Sequence, residues 1–334
     1  MIPNGQKVKK VMIYLPGTTD RPELSSCLLQ SVSQTLDYPT IGLSYAYLNS
    51  GDSYRNGKCA LLSLEEQINC LDAQHKDAID GGDYGATHYK SDGSAFWGSI
   101  APANSITARL VKLLKHLDEQ NSGMGWSSLY TGDEPNWDKI IVLGHSQGAG
   151  HAAYLGQTKS LLGAVMISGP QDECVNCPEG TKFWIDDAYK TKNKYTAFAS
   201  GDEPMYAVQA ENWSRMTEAG ATEWKDPTDV NFAIGDVSAC DSPLFTTVKY
   251  GAASTCGGKE HCSTAIDDSV PILEKSDGEK CYLYGVKVWP SLVTGVSSCK
   301  SSKGAKGAKS AKIAKAGKTA KGSKSKGTKA PKML

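Results

Sequence analysis

The stretch that decides the fold is Lys139-Ile140-Ile141-Val142-Leu143-Gly144-His145-Ser146-Gln147-Gly148-Ala149-Gly150. It begins with a short apolar run that shows no polar alternation. Such a run reads as a strand buried on both faces, the pattern of a parallel sheet. Residues 147–157 then read as a helix of small residues. Between the two stands Gly-His-Ser-Gln-Gly, which places a serine at the apex of a sharp strand-to-helix turn. That setting presents a serine hydroxyl beyond the edge of a sheet. The glycines have a steric reason. At 144 and 148, with 150 in support, a larger side chain would crowd the turn and the neighbouring backbone.

Strands are expected over 8–15 and 40–48 before this turn, and over 162–167 and 195–199 after it. Helices are expected over 22–36, where Leu24, Leu28, Leu29, Val32 and Leu36 fall near helical spacing, and over 62–72. A further helix over 105–120 carries Leu110, Val111, Leu113, Leu114 and Leu117 on one face, with Asn104 or Ser105 as its cap. Strands alternating with helices predict an α/β protein with a mostly parallel central sheet flanked by helices. Residues 49–103 and 205–260 are irregular and read as long loop insertions in a domain spanning 1–299.

The balance of 36 basic and 36 acidic residues conceals an asymmetry. Twelve of the lysines lie between Lys300 and Lys332, where there is no Asp or Glu, which leaves 24 basic against 36 acidic residues in 1–299. The lysines recur almost every third residue among Gly, Ala and Ser. A segment with so little to bury is expected to be disordered over 300–334. In a polyproline-II chain such lysines would align on one side, about 9 Å apart. A flexible arm of this charge fits a polyanionic partner, whether acidic polysaccharide, silica, anionic membrane or nucleic acid, and its binding would weaken with salt. The bland alternative is a solubility tail with no fixed partner.

Ten cysteines, at 27, 59, 70, 174, 177, 240, 256, 262, 281 and 299, favour five disulfides and an oxidising compartment. Cys174-Val-Asn-Cys177 has metal or redox spacing, but without a second such pair it reads as a loop disulfide. The sequence shows no signal segment ahead of the first strand. The expectation is a secreted protein whose signal peptide is missing from this sequence, with a cytoplasmic location as the alternative. Asn212-Trp213-Ser214 is a glycosylation sequon. No apolar run approaches the roughly 18 residues of a transmembrane helix.

A serine hydroxyl is a poor nucleophile until a base takes its proton. Six histidines are available, at 75, 88, 116, 145, 151 and 261. His145 adjoins the serine and His151 lies on the helix after it, so both read as packing residues, with the His145 side chain directed away from the side of attack. The run Gly144-His145-Ser146-Gln147-Gly148 resembles the nucleophile elbow of the α/β-hydrolase superfamily, on its lipase, esterase and cutinase side. The likeness extends over residues 10–50, 100–205 and 255–270. In that fold the chain order is nucleophile, acid, histidine. The resemblance therefore implies Ser146 as nucleophile and His261, after the loop-like run Gly257–Glu260, as base. It places the acid just past a late strand, with Asp202 first, Asp172 second and Glu203 third. It also implies an oxyanion hole from the backbone N–H groups of Gln147 and of Thr18 or Thr19 in the turn after the first strand.

The implied activity is hydrolysis of a small or polymeric carboxylic ester through an acyl-enzyme, without a metal or organic cofactor. A hydrolase fold that binds a matrix or polyanion without turnover, or an acyltransferase or peptidase of the same fold, are the alternatives. The seven tryptophans are candidates for a substrate cleft or, equally, for core packing. The lysine arm is similar in composition to the Lys-rich segments of diatom silica-associated proteins and to linker-histone tails.

Overall fold

The computed structural model describes residues 7–37, 39–46, 59, 62–88, 97–175, 177–231, 238–251, 256, 258–274, 280–285 and 287–298. The lysine arm and most of 49–61 lie outside the described residues.

Strands β1 (Val11–Leu15) and β2 (Thr40–Gly42) flank helix α1 (Ser26–Leu36). Helices α2 (Leu64–Asp80), α3 (Tyr84–Thr87) and α4 (Ile106–Gln120) precede a small hairpin of β3 (Tyr130–Thr131) and β4 (Glu134–Pro135). Then come β5 (Ile140–His145), α5 (Gln147–Thr158), β6 (Gly163–Ile167), β7 (Tyr195–Ser200), α6 (Tyr206–Glu218), β8 (Thr228–Asp229) and β9 (Leu244–Thr246). Helix α7 (Lys259–Cys262), the hairpin β10 (Ile272–Glu274) and β11 (Lys280–Tyr282), and α8 (Val288–Ser298) complete the order.

The central sheet has seven strands in the order β2-β1-β5-β6-β7-β9-β8, and every pairing in it is parallel. All six residues of β5 are buried, as a strand covered on both faces requires. Alternation along β1 divides the core. Val11, Ile13 and Leu15 pack with residues of α2, α4 and α5, while Met12 and Tyr14 pack with residues of α1 and α8. Each such fully buried aliphatic side chain contributes roughly 1.5–3 kcal/mol. Ser105 caps α4 by accepting the Ala108 N–H at 3.2 Å, one of the two caps the sequence offered.

Residues 205–260 depart from the loop expectation, because they contain α6 and two strands of the main sheet. The buried side of α6 carries Gln209 and Asn212 beside Trp213 and Met216, so polar residues interrupt its apolar stripe. Strands of two or three residues, as in β8 and β9, are too short to show alternation. Helix α2 likewise runs eight residues past its expected end, since its buried face includes Gln74, His75 and Asp77.

Disulfides join Cys59 to Cys70, Cys174 to Cys177, and Cys256 to Cys262. Cys27 keeps a free thiol, so the expectation that all ten cysteines pair is corrected. It sits on α1, where the Asp267 carboxylate accepts its backbone N–H at 3.1 Å. Among the described residues, no helix is long and apolar enough to cross a membrane.

Candidate active site

Strands β1 and β5 are neighbours, but the chain leads from β1 to β2 on one side and from β5 to β6 on the other. A parallel sheet opens a crevice beyond the carboxyl ends of its strands at such a reversal. The residues at those ends are Leu15-Pro16-Gly17 and Gly144-His145-Ser146. The crevice therefore falls where the sequence put its serine.

Ser146 has φ 56° and ψ −120°, a conformation that strains an L-residue by about 1–3 kcal/mol. The surroundings hold it there. Its N–H donates to Ile167 O at 2.9 Å, and its carbonyl accepts from Ala149 N at 2.9 Å and Gly150 N at 3.3 Å. The turn closes so tightly that a Cβ on Gly144 would lie 1.9 Å from Gly148 O, and one on Gly148 would lie 2.0 Å from Leu15 O. No side chain fits at either position.

Helix α7 carries His261 to this crevice. Its Nδ1 stands 2.5 Å from Glu203 Oε2, on the turn that follows β7. Asp202, the first-ranked acid, is not brought to His261. Its carboxylate turns to the surface and accepts from Lys249 Nζ at 3.1 Å. Glu203 is 4% exposed, so the two adjacent acids face opposite ways from one turn. Asp172 is buried as well, but it accepts from Gln74 Nε2 at 3.0 Å and pairs with His75 Nε2 at 2.9 Å instead.

The charges in this pair support each other. Burial works against an ionised Glu203, but the charge and hydrogen bond of His261, joined by the polar groups of Gln209 and Ser168, together hold the carboxyl below its ordinary range. Burial also works against a protonated His261, yet the charge and hydrogen bond of Glu203, aided by Asp20, raise the imidazole above its ordinary value of 6.5. Among the described residues, no hydrogen bond joins Ser146 Oγ to His261. In unliganded sites such a bond often forms only when substrate binds.

Gln147 is the first residue of α5, and Thr18 lies in the turn after β1. Among the described residues, the N–H of neither is used by another protein group. A Cβ on Gly17 would lie 3.0 Å from Ser146 Cβ, so the turn packs directly on Ser146. Tyr45 Oη pins it by donating to Pro16 O at 2.7 Å. The positive end of the α5 dipole adds to the attraction for negative charge at this point.

Tyr45 and Gln171 were not singled out in the sequence. Gln171 Nε2 lies 3.2 Å from His261 Nδ1 and donates to Ser168 O at 3.2 Å. Neither residue has a local pattern that marks it, because both reach the site through the fold. All seven tryptophans are buried, at 8% exposure or less, which favours the packing reading over a cleft lining. Asn212 of the sequon is 1% exposed and donates its amide to Pro170 O and Asp172 O, so it offers no acceptor for a glycan in the folded chain. His151 is the packing residue expected. It lies against His75, with its ring Nδ1 2.9 Å from His75 Nδ1, and burial first, then His75, keep it neutral.

The all-parallel sheet is flanked by helices, a strained serine stands between its central strand β5 and α5, and a histidine on α7 pairs with a carboxylate on the turn after β7. No family model and no curated protein matches the chain. Solved structures with similarity include a phospholipase/carboxylesterase from Dyadobacter fermentans, at 12% identity and TM-score 0.36, covering 78% of this chain and 90% of that one. Esterase PE8 is similar at 13% identity and TM-score 0.40, covering 73% and 85%. A Bacillus cereus carboxylesterase is similar at 16% identity and TM-score 0.32, covering 64% and 78%. These likenesses are too distant to carry a functional argument.

Proposed function

We propose that the chain is a serine hydrolase of carboxylic esters, with Ser146 as nucleophile, His261 as base and Glu203 as the acid that orients it. The observation that carries this reading is the 2.5 Å contact between His261 Nδ1 and Glu203 Oε2 beside a strained Ser146. With Nδ1–H donated to Glu203, Nε2 is the ring nitrogen free to take the serine proton. Ser146 Oγ attacks the ester carbonyl as that proton moves to Nε2. The developing oxyanion is met by the N–H groups of Gln147 and Thr18. The imidazolium, stabilised by Glu203, returns the proton to the departing alcohol. Water, activated by the same imidazole, then releases the acid and restores Ser146.

Each backbone donor at such a site is worth about 100- to 1000-fold in rate. The reading is tested by a panel of neutral esters of increasing acyl length. The intact protein should hydrolyse at least one, and Ser146→Ala should reduce that rate to background. Retained activity in Ser146→Ala would reject it.

We further propose that the arm from Lys300 to Lys332 tethers the protein to a polyanion in an extracytoplasmic setting. What supports this is the separation of twelve lysines from a body in which acidic residues outnumber basic ones by 36 to 24. Retention on a heparin column should fall steeply with salt and be lost on deleting 300–334.

A further inference from the structure

The base sits on a helix of only four residues, Lys259–Cys262. So short a helix cannot fix an imidazole to within a few tenths of an ångström by its own hydrogen bonds. The described contacts show where its position comes from. The backbone carbonyl of His261 accepts His145 Nε2–H at 3.1 Å and the Ser168 hydroxyl at 3.2 Å. His145 is the last residue of β5, one position before the nucleophile, and is 1% exposed. Its ring packs against that of His261, with centroids 4.9 Å apart and planes inclined by 35°. Its other nitrogen, Nδ1, faces Asp20 Oδ2 at 3.6 Å, in the loop that carries Thr18. His145 is buried as the packing residue the sequence suggested, and its packing partner is the segment that bears His261.

We infer that His145 is a positioning residue that locks the base to the nucleophile, a proposal that rests on Ser146 and His261 being the reacting pair. Ser146 and His145 leave the same strand end on adjacent residues. One side chain attacks, and the other holds the backbone of the base. A displacement of the elbow therefore carries both partners together, and the distance between Oγ and the imidazole is kept. Nε2 must carry the hydrogen to donate to a carbonyl, which leaves Nδ1 as the nitrogen that faces Asp20. Ser168 supplies the second donor from the end of β6, and its hydroxyl is fixed in turn by Thr264 Oγ1 at 2.9 Å. The base is thus tied to two neighbouring strands of the sheet.

The test compares His145→Leu, which removes the donor, with His145→Gln, whose amide nitrogen can reproduce an Nε2–H donor. Kinetics are read on the best ester together with the rate of fluorophosphonate labelling. The misplacement expected in His145→Leu should lower kcat about 10- to 100-fold with KM little changed. His145→Gln should recover most of the loss, and the pH of the acid limb should stay that of the intact protein. A folded His145→Leu with intact kcat overturns the proposal, as does a folded His145→Gln no better than His145→Leu. Should His145→Leu fail to fold, His145→Gln decides alone: near-normal kcat supports the clasp, and a large loss rejects it. Failure of the underlying reading looks different, because His261→Ala would then keep its activity whatever position 145 holds.

Discussion

Glu203 Oε2 meets His261 Nδ1 at 2.5 Å, while the preceding carboxylate, Asp202, lies against Lys249 at the surface. One turn thus separates two acids by role. Glu203→Gln keeps the shape but loses the charge, and its amide can turn its NH2 to Nδ1 as a donor, which favours the wrong tautomer. Its kcat should fall by about 1000- to 10000-fold, the range for an orienting acid. Asp202→Asn breaks only an exposed ion pair and should leave kcat within about 2-fold. Steady-state kinetics of the two variants side by side checks this.

The pH profile follows from the same pair. The base must be neutral, and Glu203 raises the His261 pKa above 6.5 against the effect of burial. Activity should therefore decline on acidification with a midpoint above 6.5. In Glu203→Gln the raising charge is gone while the burial remains, so the residual activity should have its acid limb at lower pH. The linkage to stability has opposite signs at the two ends. The raised His261 stabilises the fold below its unfolded value, and this contribution is lost as pH rises through the folded value. The lowered Glu203 stabilises above its unfolded value, and this is lost as pH falls through the folded one. A kcat/KM profile and urea unfolding across pH 3–9 measure both.

Reduction should weaken catalysis before it unfolds the protein. Cys256–Cys262 closes the chain around His261, and it is sited on the four-residue helix that has little else of its own. Disulfides contribute typically about 2–4 kcal/mol, chiefly by limiting the alternatives of the open chain. Cys256→Ser with Cys262→Ser should lower kcat several-fold while far-UV circular dichroism stays unchanged. The same loss should appear in the intact protein treated with a thiol reductant.

Asp172 predicts the reverse pattern. It lies in a buried group with His75, Gln74 and, through His75, His151. Removing one member strands its partners away from water, at about 3 kcal/mol or more. Asp172→Ala should lower Tm by several degrees, while kcat per folded molecule stays within a few-fold. A large fall in kcat with unchanged Tm would give Asp172 a catalytic role instead.

Much of this architecture is legible in the sequence, for a physical reason. Ile140–Leu143 is apolar without alternation because both faces of β5 are covered. Gly144 and Gly148 are fixed by backbone atoms 2 Å from where a Cβ would be. Such constraints act within a few residues and leave a local mark. The choice of acid does not. Asp202 and Glu203 are neighbours in the chain, and which one faces inward depends on the turn geometry after Ser200 and on the extra methylene of glutamate. Helix α6 stayed hidden for a related reason, since its buried Gln209 and Asn212 break the apolar period that would have revealed it. The reach of His145 to the carbonyl of His261 spans 116 residues and exists only once the sheet has formed.

The most direct measurement is active-site labelling with a fluorophosphonate, read by mass spectrometry of the digested protein. The reagent reacts with a serine whose proton is drawn off by a base and whose oxyanion is received by donors. A single adduct on Ser146, absent after Ser146→Ala and strongly slowed in both His261→Ala and Glu203→Gln, is the expected result. An unlabelled Ser146 in folded protein, or labelling unaffected by the loss of His261, would contradict the account.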